Sequence, residues 1–359
     1  MFKLEVRPAQ SRFWGFGSPI LAAVFTALLG MLLFKALGKD PLSGLRVFFW
    51  EPLSSAYSLG ELMVKATPLL LIALGLAVCY RSNVWNIGAE GQYIIGAVAA
   101  TGVALMAGND TGRWIVIPVL LAGVLGGMVW AALAALLRDK FNASEILVTL
   151  MLVYVATMVM NYLVFGPWKD PAGYNFPQTE MFAAATQIPR LMDGSRLNIG
   201  LLITLLSAVG LWVFLFRTRL GFAQQVGGMA PAAARYAGFS SRKALWLALL
   251  ISGGAAGLAG ALEVAGPLGQ LTPHLPAGYG FAAIIVAFVG RLHPAGMVLS
   301  SILMGMFYIG GELAQSRLGL PKSLGGVFQG LLLFSLLACD TLIVYRVRFM
   351  PGSPVLKEA

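Results

Sequence analysis

The sequence predicts an all-α polytopic membrane protein with about ten transmembrane helices, and three observations carry that expectation. Apolar residues make up 58% of the 359 positions and charged residues 11%, whereas soluble domains run about 45–50% apolar and about 25% charged. So little polar surface cannot coat so much apolar bulk. Backbone amides in hydrocarbon must find partners within the chain, which leaves helices or a closed barrel, and the long unbroken apolar runs select helices. At about 20 residues per crossing these runs supply roughly ten spans.

Taken in order, the candidate spans lie near 18–37, 60–80, 92–108, 114–137, 145–165, 197–216, 244–264, 279–290, 295–313 and 324–345. The first follows Lys3, Arg7 and Arg12 but is long and lacks a small-residue cleavage site, so it reads as a retained helix and not a signal peptide. The spans at 92–108 and 279–290 are short. Ten crossings put both termini on one side. Basic residues such as Lys3, Arg81, Arg138, Lys140, Arg235 and Arg348 gather there, which makes it the cytoplasm. The expected organisation is a cytoplasmic N-terminal segment (1–17), a single transmembrane domain (18–345) and a cytoplasmic tail (346–359).

Charge and side-chain chemistry narrow the function. The formal charge of +10 is dispersed among connections and builds no aromatic-interleaved basic face, so lipid and not nucleic acid is the expected surrounding partner. Cys79 and Cys339 sit in apolar runs as small hydrophobes. His274 and His293 stand alone without ligands at metal-binding spacing, so no metal is expected. With two histidines and few intramembrane carboxylates, an enzyme's acid, base or metal set is hard to assemble. The run Gly253, Gly254, Gly257 and Gly260 fits close helix packing.

Four segments stand out. Residues 83–92 place Asn83, Trp85, Asn86, Glu90 and Gln92 with two glycines between apolar spans, a costly polarity unless it meets water, protein or a ligand. It can be read as an interrupted helix lining a solute path, or as a cytoplasmic turn with Glu90 capping the next helix. A second Gly-rich interruption at 278–296, beside Phe281, has a similar texture, as in an inverted repeat with interrupted helices. Residues 166–196, rich in Pro, Gly and polar groups, fall outside and form either a docking surface or a solvated loop. Inside, Pro231 and Gly238 bracket a short helix over 230–237.

The motif Asn86-Ile87-Gly88-Ala89-Glu90-Gly91-Gln92 resembles the signature of permease subunits in ABC importers of the branched family, which takes up simple sugars, nucleosides and branched-chain amino acids. The match is nearest to the nucleoside-type permeases. Two further blocks agree in order. One joins Ala233-Ala234-Arg235-Tyr236-Ala237-Gly238-Phe239 to Ile251-Ser252-Gly253-Gly254-Ala255-Ala256-Gly257; the other joins Gly278-Tyr279-Gly280-Phe281 to Val289-Gly290-Arg291-Leu292-His293-Pro294. The blocks extend from about residue 60 to 340, with local departures at Met229 and at Leu292-His293.

The resemblance implies a permease of the cytoplasmic (inner) membrane that carries a nucleoside, or as second choice a simple sugar. It also implies three kinds of partner: cytoplasmic ATPase subunits, a second permease that is identical or different, and an extracytoplasmic substrate-binding protein. Asn83, Trp85, Asn86, Glu90, Gln92 and Phe281 become candidates for the solute path, and Ala233, Ala234, Arg235, Tyr236, Ala237 and Gly238 for ATPase coupling. The chain has no G-x-x-x-x-G-K-[ST] phosphate loop, so no cofactor is expected on it and a partner must use the ATP. A secondary transporter, which also uses interrupted helices but needs no ATPase, is the competing class.

Overall fold

The computed structural model describes residues 2–6, 12–108, 111–192 and 194–349. They form thirteen α-helices: α1 (Arg12–Ala36), α2 (Pro41–Leu45), α3 (Ala56–Arg81), α4 (Ala89–Leu105), α5 (Val116–Phe141), α6 (Glu145–Phe165), α7 (Gly200–Arg217), α8 (Arg219–Met229), α9 (Pro231–Tyr236), α10 (Ser241–Glu263), α11 (Tyr279–Val289), α12 (Pro294–Leu318) and α13 (Leu324–Val344). Outside the helices, β1 (Phe2–Val6) and β2 (Tyr345–Phe349) pair antiparallel, with Phe2 opposite Phe349 and Val6 opposite Tyr345.

Each predicted span is occupied by a helix, with ends displaced by a few residues. Among the described residues eight helices are long and apolar enough to cross a membrane. The other two predicted spans are α4 and α11. At 1.5 Å per residue the eleven residues of α11 reach about 16 Å, half of a hydrocarbon core about 30 Å thick. The helix α1 begins at Arg12, ahead of the predicted apolar run, because hydropathy marks where a helix becomes apolar and not where its backbone starts. Caps fix several other starts: the Ser55 hydroxyl accepts from Ser58 N at 3.1 Å before α3, and Thr218 Oγ1 from Gly221 N at 3.0 Å in α8.

The chain divides into two compact units, residues 1–51 with 310–359, and residues 52–309. In the first, α1 and α13 pack around an aromatic centre. Phe48 stacks on Phe328 at 4.4 Å and meets Phe34 edge-on at 5.6 Å. Gly30 leaves room for the Phe328 ring and Gly44 for that of Phe34.

The second unit is built around α3 and α10. Buried residues fill 89% of the most apolar stretch of α3, against 22% for those of α5 and α6, so α3 is interior while α5 and α6 turn apolar side chains such as Leu125, Val129, Met151 and Met158 outward. Small residues bring α4, α5 and α10 together. Gly253 and Gly257 of α10 meet the backbone of Gly123 and Gly127 in α5, and Gly96 of α4 lies against Gly257, so a β-carbon at these points would strike backbone.

Candidate functional site

The site begins where α3 ends. Residues 83–88 leave the helix, and burial alternates along them: Ser82, Val84 and Asn86 are buried while Asn83 and Trp85 are exposed. Asn83 takes a left-handed backbone (φ 55°), a conformation asparagine tolerates better than most residues. The Asn86 amide then organises the start of α4. Its Nδ2 donates to Gln92 Oε1 and to Ser252 Oγ, each at 2.9 Å. Its Oδ1 accepts from Gln92 Nε2 at 3.2 Å and from the Gly88 amide at 3.1 Å. Ser252 lies midway along α10, so this fully buried polar network sits at the depth of the helix centre. Such burial is tolerated because every donor and acceptor of the Asn86 side chain is engaged.

Glu90, the second residue of α4, does not bond within its own helix. Its carboxylate accepts the amides of Gly278, at 2.9 Å, and of Gly280, the first donors of α11. Gly278 enters that helix with φ 79°, which needs no β-carbon. A β-carbon on Gly280 would run into the Glu90 backbone. The starts of two interrupted helices thus meet inside the unit, and a negative side chain from one satisfies the unbonded amides and positive dipole end of the other.

The aromatic residues divide. Trp85 is 39% exposed and Phe281 41%. The structure does not stack these two together. Trp85 instead joins Tyr80, at 5.3 Å, and Phe288, at 6.3 Å. Phe288 lies two turns beyond Phe281 on α11, and Ile284 between them is also partly exposed, so one face of α11 is left open. Tyr80 and Phe288 were not singled out from sequence, where an aromatic residue in an apolar run carries no distinguishing signal.

At the other end of α3 a charged cluster escaped the sequence reading. Arg196 Nε donates to both Glu61 carboxylate oxygens at 3.1 Å, with Nη2 completing a forked pair. This bond holds the Arg196 guanidinium above its ordinary pKa. Lys65 lies one turn along from Glu61, its ammonium 5.8 Å from the Tyr279 ring, and buried Glu263 is within electrostatic reach of Lys65 and Arg196. The signal was present: Glu61 and Lys65 are charges spaced i, i+4 within a predicted span, a rare and functional pattern.

The segment singled out for coupling forms α9. Pro231 opens it, and Gly238, with φ 82°, closes it as Phe239 N donates to Ala234 O at 2.9 Å and Gly238 N to Arg235 O at 3.0 Å. Ala233, Arg235, Tyr236, Ala237 and Gly238 are exposed, Tyr236 by 97%, whereas Ala234 is buried.

Multiple apolar helices, two of them starting inside the second unit, define a multi-pass membrane protein. The chain belongs to the family described as branched-chain amino acid transport system / permease component, which it matches over residues 58–337. It is 32% identical to a glucose ABC transporter permease protein of Haloferax volcanii, over 96% of this chain and 93% of that protein. It is 29% identical to a guanosine ABC transporter permease protein of Bacillus subtilis, over 95% and 97%. A nucleoside ABC transporter permease protein of Lactococcus lactis subsp. cremoris is 29% identical over 88% and 89%. No solved structure matches. The chain is therefore a permease subunit of an ABC importer, a transport component and not an enzyme.

Proposed function

We propose that this permease carries an uncharged polar solute, first of all a nucleoside, into the cytoplasm along the open face of α11. The observation that carries this reading is the stripe of Phe281 and Phe288 with Trp85 beside it, on a helix too short to cross the membrane. Irregular backbone at membrane depth belongs where protein or a water-filled cavity surrounds it. Aromatic faces in such a cavity suit a nucleobase, since stacking is worth about 1–3 kcal/mol per base. In this reading Trp85 and Phe281 contact the solute, Asn86, Glu90 and Gln92 hold the two breaks that shape the path, and Asn83 marks its inner end.

The position of Glu90 supports an uncharged solute. In transporters with interrupted helices, free half-helix N-termini receive anionic groups; here the Glu90 carboxylate already holds the first amides of α11. The relatives named for guanosine and nucleosides point the same way. A simple sugar is the second reading, favoured by the relative named for glucose.

The remaining subunits follow from the class. Cytoplasmic ATPase subunits dock on α9 through Arg235 and Tyr236 and use the ATP. A second permease, identical or different, completes the pathway. An extracytoplasmic substrate-binding protein delivers solute against residues 166–196, a connection tied down by Thr179 N to Leu271 O at 3.1 Å and Phe182 N to Gly269 O at 2.8 Å. Both termini are then cytoplasmic and the membrane is the cytoplasmic (inner) one.

Uptake of labelled guanosine and of labelled glucose by cells expressing the complete importer tests the solute. Guanosine uptake that falls at least fivefold in Trp85→Ala or Phe281→Ala, with normal amounts of protein in the membrane, is the expected result. Glucose uptake without guanosine uptake would replace the first reading by the second, and unaltered uptake in both variants would move the path away from α11.

A further inference from the structure

The last turn of α3 is fastened to α8 at several points. Arg81 Nη1 donates to Gln225 Oε1 at 2.9 Å, and Gln225 Nε2 donates onward to Leu215 O at 2.7 Å. The next residue, Ser82, donates through its hydroxyl to Gln224 Oε1, whose amide reaches Ala244 O at 3.2 Å. Gly228 lies so close to the backbone of Arg81 and Ser82 that a β-carbon would overlap the Arg81 carbonyl. By contrast, α9 stands off: a cleft of about 300 Å³, lined by Ser82, Gln224, Gly227, Ala234, Phe239 and Lys243 among others, separates it from the helices behind. Only Ala230 separates α8 from α9, so the two helices are joined almost directly.

Arg81 also reaches the turn that follows α11. Its Nε donates to the Leu292 carbonyl at 3.0 Å, and its guanidinium lies over the Phe216 ring at 5.0 Å. That carbonyl belongs to two consecutive non-glycine residues in left-handed conformation, Arg291 (φ 57°) and Leu292 (φ 52°), directly after α11. Such a conformation persists only where its surroundings hold it, and the Arg81 bond is part of that hold. One side chain therefore touches α8, the end of α11 and α7, and five residues later the same chain reaches Asn86.

We infer that Arg81 is the positioning residue that passes movement of the α8–α9 segment at once to the first helix break, which it precedes, and to the far end of α11. The inference rests on α9 being the docking point of the ATPase. Arg81 contacts neither solute nor nucleotide in this account; it makes the first break and the far end of α11 move together. A neutral or shorter side chain cannot hold both Gln225 and the Leu292 carbonyl, because one guanidinium offers the divergent donors that these two acceptors require.

The test uses the complete importer reconstituted in liposomes, with guanosine as the transported probe, or glucose where that is the solute carried. In Arg81→Gln we expect the ATPase to co-purify and hydrolyse ATP within twofold of the unmodified complex, while uptake falls at least tenfold. A cysteine at Phe281→Cys should change its labelling rate on ATP addition in the parent complex and lose that change with Arg81→Gln. Gln225→Ala, which removes only the arm to α8, guards against misfolding of the first variant and should reduce uptake at least threefold with unaltered melting temperature. Uptake within twofold of the parent in either variant, or an intact ATP-dependent labelling change, would overturn the inference. A separate arm replaces Arg235 and Tyr236 by alanine: release of the ATPase supports the docking point, and its retention overturns that reading and this inference with it. Failure of the Arg81 arm alone leaves the docking point standing.

Discussion

The two helix breaks look alike in sequence and are wired differently. The first, before α4, is closed by neutral amides and a hydroxyl: Asn86, Gln92 and Ser252 satisfy one another and the Gly88 amide. The second, before α11, takes the Glu90 carboxylate from the helix that the first break begins, while the Tyr308 hydroxyl donates to the Ala277 carbonyl at 3.1 Å. The amides of the second break thus draw their acceptor from the first. A pair of similar-looking interruptions can therefore differ in which one supports the other, and substitution can reveal the order.

The largest effect should come from Glu90→Ala, which leaves two amides at the start of α11 without an acceptor. At about 1–3 kcal/mol for each unsatisfied buried group, the loss is roughly 2–6 kcal/mol. Thermal melting of the detergent-purified protein should register it, and hydrogen exchange at Gly278 and Gly280 should accelerate. Asn86→Ala should cost about 1–3 kcal/mol by orphaning Gln92 and the Gly88 amide, yet leave the amides of Gly278 and Gly280 protected. Equal acceleration at α11 in both variants would make the breaks one interdependent unit and cancel the asymmetry.

A milder substitution sharpens the contrast. Glu90→Gln keeps one acceptor oxygen but loses the charge that complements the helix end, so its cost should be about 1–2 kcal/mol, clearly below that of Glu90→Ala. The same loss in both would mean that shape and not hydrogen bonding holds the second break. The smallest effect is expected at Asn83→Gly, where exposed left-handed backbone suits glycine. Stability should stay within about 0.5 kcal/mol of the parent, and a larger loss would show that the Asn83 side chain has a partner inside the unit.

Much of the bundle was legible because run length and hydropathy are local properties. All ten predicted spans correspond to helices, and the two short spans, each following an interruption, became α4 and α11. The bounds of α9 were legible for the same reason, since Pro231 and Gly238 act within a turn of where they stand. The separate helix α8 was not, because its mixture of Gly, Gln and Arg lacks an apolar stripe. The partners of Glu90 were beyond reach as well: its acceptor role depends on Gly278 and Gly280, 188 and 190 residues along the chain. Sequence marked Glu90 as a polar group needing a partner, and only the fold named the partner. Arg196 and Glu61 were missed because one lies in a connection and the other in a span, 135 residues apart.

The aromatic centre of the first unit bears on how the protein is made. Phe34 and Phe48 come from the beginning of the chain and Phe328 from near its end, and Ser18 Oγ donates to Asp340 Oδ1 at 2.7 Å across 322 residues. Synthesis delivers α1 first, but its packing surface is completed only when α13 leaves the ribosome. Residues 52–309 are all synthesised before then, so that unit can assemble during translation. Until then Phe34 can pack on Phe48 and Gly44, but the face of α1 at Gly30 that receives the Phe328 ring stays uncovered in the membrane.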